Sequence, residues 1–86
     1  MKKVDGLDIV LGETIRFLRI ENGLSQEELA EKCDSSAVYI SEIERGIKNP
    51  TFSTLIAISL SLDIKLSELC IEIEKHFEYK NHDKTI

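Results

Sequence analysis

The chain has 86 residues, a formal net charge of −5, 42% hydrophobic side chains, one proline and four glycines, which suits one small helical domain and leaves no room for a second. At this length folding buries only about 60–65% of the unfolded surface, so a large substrate cavity is not expected. No apolar run approaches the ~18 residues of a membrane span, and Met1-Lys2-Lys3 leads into Asp5 and Asp8 rather than an apolar segment, so neither a span nor a secretory leader is expected, and the reading is cytoplasmic.

Residues 1–7 read as a flexible arm. Asp8 is placed to cap a first helix whose apolar positions Leu11, Ile15 and Leu18 form one stripe, and Asn22-Gly23 supplies left-handed chemistry to end it. Ser25 starts a second helix, Gln26 to about Cys33, with Glu28 three residues on to complete a capping box. A left-handed turn follows at Asp34. Ser36 caps a third helix reaching Arg45-Gly46, with Tyr39, Ile40 and Ile43 inward and Ala37, Val38, Ser41 and Glu42 outward. Thr51 caps a fourth helix, to about Leu60, whose apolar face is Phe52, Leu55, Ile56 and Ile58. Asp63 turns the chain. Ser67 is placed to cap a fifth helix carrying Leu66, Leu69, Ile73 and Phe77 along one side, and residues from Asn81 onward read as frayed.

Cys33 and Cys70 lack C-x-x-C spacing, and His76 and His82 lack the i, i+4 spacing of a ligand pair. Both cysteines read as small packing residues, and no metal site or cofactor is expected. With no Ser/His/Asp or Cys/His set and no Gly-rich phosphate loop, an enzyme is not expected either.

The second and third helices around a tight turn, with small Ala30 permitting a close crossing, make a helix-turn-helix. Four fragments carry a resemblance beyond that motif: Leu11-Gly12-x-x-Ile15-x-x-Leu18-Arg19; Gly23-Leu24-Ser25-Gln26-x-x-Leu29-Ala30; Tyr39-Ile40-Ser41-x-Ile43-Glu44-Arg45-Gly46; and Asn49-Pro50 with Leu55. In joint spacing, over roughly residues 8–70, the chain resembles the lambda-repressor-like (Xre/Cro) helix-turn-helix family. That implies an all-α fold of five helices, a DNA-binding domain over 8–70, and a helical extension with a frayed tail over 71–86. The family usually has glycine where this chain has Asp34, and a buried apolar residue where it has Ser35.

The resemblance also implies roles. Gln26 matches a phosphate-contacting position, with a solvated glutamine as the alternative. Ser36, Ala37, Val38, Ser41 and Glu42 match base-facing positions: Ala37 and Val38 suit thymine methyls, Ser41 several base edges, and Glu42 cytosine N4, with a solvated helix charge as the alternative for Glu42. Arg19 and Glu44 match an ion pair between the first and third helices, and Tyr39 a partly buried position. Among the remaining cations, Arg16, Lys32, Arg45 and Lys48 are candidates for phosphate, against a reading as plain surface charges.

The function implied is a sequence-specific double-stranded DNA-binding transcriptional regulator, usually a repressor, of the kind found among restriction-modification controllers, phage repressors and antitoxin-type regulators. One module buries too little surface for tight specific binding, so a homodimer on inverted repeats is expected, with Leu66, Leu69, Ile73 and Phe77 of the fifth helix and residues of the fourth as its interface, the alternative being that the fifth helix folds back to complete the monomer's own core. The charge argues the other way. Residues 1–50 carry seven basic and ten acidic side chains and residues 51–86 four and six, so the acid is not confined to a tail, and a protein-interaction module that keeps the fold without DNA binding is the alternative.

Overall fold

The computed structural model describes residues 4–82, with side chains to Glu78. Residues 1–3 of the expected arm and 83–86 of the expected frayed tail lie outside the described residues. Among the described residues the fold is all-α: α1 (Leu7–Glu21), α2 (Gln26–Lys32), α3 (Ala37–Glu44), α4 (Phe52–Ser61) and α5 (Leu66–His82).

The starts of α2, α3 and α4 follow from local chemistry. Ser25 Oγ accepts from the Glu28 N–H at 3.0 Å while Glu28 Oε1 accepts from the Ser25 N–H at 2.8 Å, a complete capping box. Ser36 and Thr51 accept from Tyr39 and Thr54 N–H in the same way. Two predicted caps are corrected. The residue before α1 is Gly6, in the left-handed region at φ 79°, and Asp8 lies inside the first turn, where an acidic side chain complements the helix dipole. α5 begins at Leu66 rather than after Ser67, because Glu68 Oε1 accepts the Lys65 N–H at 2.9 Å.

One device ends the first four helices. The residue three beyond the helix reaches back five residues (Leu24 to Arg19, Ser35 to Ala30, Ile47 to Glu42, Ile64 to Ser59) and the residue before it reaches back three, the Schellman arrangement. Gly23, Asp34, Gly46 and Asp63 hold its left-handed position, at φ 70°, 55°, 77° and 59°. Aspartate tolerates that geometry better than most residues, so the departure at Asp34 leaves the turn intact.

All five helices supply the core: Ile15 and Leu18, Leu29 and Ala30, Ile40 and Ile43, Ile58 with Leu62 just after α4, and Leu69. Where α1 crosses the end of α3, a Cβ on Gly12 would lie 2.7 Å from the Glu44 carbonyl oxygen. Only glycine permits this approach, which brings Arg19, further along α1, into reach of Glu44.

Two further expectations are corrected by this packing. Leu69 is fully buried in the protomer's own core, with Leu66 and Ile73 packed against it, so most of the stripe predicted as a dimer interface is occupied within the protomer. The single apolar face expected on α4 splits in two. Ile58 is buried and Leu55 packs against the core, whereas Phe52, Ile56 and Leu60, at i, i+4 and i+8, face outward with 67%, 37% and 73% of their surface exposed.

Candidate nucleic-acid interface

α3 is held from beneath by Ile40 and Ile43, both essentially inaccessible. Ser36 caps the start of the helix, its Oγ accepting from the Tyr39 N–H at 3.1 Å and its own O–H still available as a donor. Of the predicted outward positions, Val38 is the most open, at 69% exposed. Ala37, Ser41 and Glu42 are half-buried rather than fully outward. Tyr39 is half-buried and packs against the core.

At the other end of α3, Glu44 is buried and accepts from three donors. Arg19 gives Nε to Oε2 at 2.6 Å and Nη2 to Oε1 at 3.0 Å, and Gln26 gives Nε2 to Oε1 at 3.0 Å. The remaining Arg19 nitrogen, Nη1, donates to the Leu24 carbonyl at 2.8 Å. α1, α2 and α3 thus meet at one carboxylate, and the loop after α1 joins them through the Arg19 guanidinium. The hydrogen bonds it donates to Glu44 hold the Arg19 guanidinium pKa above its ordinary range, against the opposing effect of burial. Among the described residues no buried side-chain nitrogen or oxygen lacks a partner, so the ion pair stands without stranded polar atoms.

The predicted phosphate contacts are distributed over several elements. Gln26 is half-buried, and one donor of its amide is committed to Glu44. Sequence reasoning missed that link, because the partners lie 18 residues apart and no local pattern relates them. Arg45 and Lys48 are exposed just after α3: Arg45 Nε donates to the Ser41 carbonyl at 3.4 Å, and the Lys48 N–H returns to the Glu42 carbonyl at 3.3 Å. Lys32, in the last turn of α2, is exposed and lies near enough to Glu28 to help lower the Glu28 pKa. Arg16 has other neighbours, lining a shallow groove with Phe17, Ile20 and His76. Glu28 is held below the ordinary glutamate range, chiefly by the hydrogen bond from the Ser25 backbone and then by its hydroxyl. Among the described residues no group of three or more His, Cys, Asp or Glu could hold a metal ion, and no helix is long and apolar enough to cross a membrane.

Comparison with known proteins gives this geometry its context. The helix-turn-helix family HTH_3 matches residues 15–69, which takes in α2, α3 and α4 with the last two turns of α1 and the start of α5. The chain is 35% identical over 80 residues to the immunity repressor protein of Bacillus phage phi105, covering 88% of this chain and 56% of that one. It is 40% identical over 73 residues to the control protein C.MunI of a Mycoplasma species, covering 84% of this chain and 99% of that one. It is similar in structure to the restriction-modification controller protein C.Esp1396I, solved as a tetramer in complex with its natural 35 base-pair operator, with a TM-score of 0.78, 30% identity, and coverage of 85% of this chain and 96% of that one. These relatives are regulators, and the chain belongs to the lambda-repressor-like (Xre) helix-turn-helix family.

Proposed function

We propose that the chain is a sequence-specific double-stranded DNA-binding transcriptional regulator, acting in the cytoplasm as a homodimer on inverted-repeat operators and repressing by occluding a promoter. The observation that carries this reading is the outer surface of α3. Val38 stands open at the second position of a helix whose opposite side is locked by Ile40 and Ile43, the arrangement by which a recognition helix enters a major groove N-terminus first. Ser36, Ala37, Ser41 and Glu42 complete the base-facing set. With no arginine or lysine among them, the preferred sites are those offering thymine methyls to Ala37 and Val38 and a cytosine amino group to Glu42. Gln26, Arg45 and Lys48 are assigned to phosphate, with Arg16 and Lys32 as more distant cations.

The homodimer is assigned to the outward stripe of α4, Phe52, Ile56 and Leu60, with Phe77 alone of the four predicted α5 residues retained as a contributor. An apolar row of this kind on a small protein marks an interface, and a self-complementary patch closes as a two-fold dimer. The assembly of the similar controller C.Esp1396I on its operator supports the reading. Selection of bound duplexes from a random pool tests it. The expected product is an inverted repeat with half-site centres about one DNA turn, ~10 base pairs, apart; enrichment of no sequence contradicts it.

A further inference from the structure

The Gln26 side chain is anchored by a buried group. Its Nε2 lies 3.0 Å from Glu44 Oε1, and the same carboxylate takes two donors from Arg19. A carboxylate paired with a guanidinium only accepts hydrogen bonds. The amide end of Gln26 must therefore be its NH2, since a flip would set two acceptor oxygens against each other at that distance. One N–H is consumed by Glu44 and the second is left over, on a side chain that stays half-open to solvent.

We propose that Glu44 is a positioning residue for DNA contact: it fixes the Gln26 amide so that the remaining N–H is held ready to donate to a backbone phosphate. The inference rests on the DNA-binding reading above. An unanchored glutamine would present its carbonyl oxygen to the phosphate in part of its conformations and would lose side-chain freedom on binding. Anchoring removes both penalties beforehand, an effect of roughly 2- to 10-fold in affinity per protomer. The buried ion pair then has a second task, since Arg19 holds Glu44 in the place where it can hold Gln26.

A binding cycle separates this role from a merely structural one. Arg19→Met and Glu44→Met made together remove the acceptor of Gln26 without stranding a charge, a replacement that buried pairs often tolerate. In this pair variant, shown folded by circular dichroism, the affinity of the dimer for a selected duplex should fall by roughly 4- to 100-fold relative to wild type, 2- to 10-fold for each protomer. In a Gln26→Ala background the same pair of changes should leave affinity unaltered. Equal losses in both backgrounds would overturn the role of Glu44 and leave DNA binding standing. Absence of any duplex binding by the wild type at low salt would overturn the DNA-binding reading, and this role with it. Should the pair variant not fold, the wild type supplies the decision by NMR. One of the two Gln26 Nε2 protons should shift on adding duplex while the one bonded to Glu44 stays; movement of neither, or of both together, counts against the proposal.

Discussion

Arg19 and Glu44 meet through two hydrogen bonds, Nε to Oε2 at 2.6 Å and Nη2 to Oε1 at 3.0 Å, with side chains only 10% and 2% exposed. Neither charge has water to replace a lost partner. Removing one member of such a pair costs about 3–5 kcal/mol, because the other stays desolvated. Arg19→Ala and Glu44→Ala should each lower the melting temperature sharply, and the double variant should lose less than the sum of the two. Strict additivity in a thermal-melt cycle would show that the pairing contributes nothing.

The capping box gives a pH dependence of defined sign. Glu28 is held below its ordinary value of 4.5 by the Ser25 backbone and hydroxyl, so the folded state favours its charged form. The associated stability is present above the unfolded value and is lost as pH falls through the lowered folded one. Acid titration of stability should therefore show a decline beginning near the ordinary glutamate range. Glu28→Gln should remove its share of that decline, and superimposable acid limbs for variant and wild type would count against the assignment.

Assembly distinguishes the two apolar stripes. Phe52→Glu with Leu60→Glu alters only outward positions of α4 and should yield a folded monomer by sedimentation, with duplex affinity sharply reduced. Ile73→Asp puts a charge against the core and should instead destabilise the protomer itself, by several kcal/mol if unrelieved. A wild type that is monomeric at micromolar concentration, or an α4 variant that remains dimeric, would refute the α4 interface.

Features set by neighbouring residues were legible in the sequence. Ser25 with Glu28, Ser36 and Thr51 announce three helix starts because a cap needs only the next turn, and Asn22-Gly23 and Arg45-Gly46 announce two ends for the same reason. The start of α1 was not, since Asp8 suits a cap and a first turn equally and Gly6 decides between them by taking a left-handed conformation. α4 is apolar nearly all round, at positions 52, 55, 56, 58 and 60, and periodicity cannot then say which side meets the core. In α5 the spacing of Leu66, Leu69 and Ile73 identified an apolar face and left two partners open, a second copy or the protomer's own core; Leu69 lies in that core, with Leu66 and Ile73 partly buried against it. The candidate interface was legible as positions on α3, while the tie between Gln26 and Glu44 was not, because it depends on how two helices cross.

The claim of DNA binding by an acidic protein is tested most directly by measuring duplex affinity between 50 and 200 mM salt. A regulator that neutralises phosphates with Arg45 and Lys48 loses affinity linearly in log affinity against log salt, with a slope of about −0.9 per phosphate neutralised by a cation. The account predicts such a line for the wild type, and for Arg45→Ala weaker binding to all duplexes alike with a slope shallower by about one for each Arg45 removed from the complex. Undetectable duplex binding at 50 mM salt, or an affinity indifferent to salt, would contradict it.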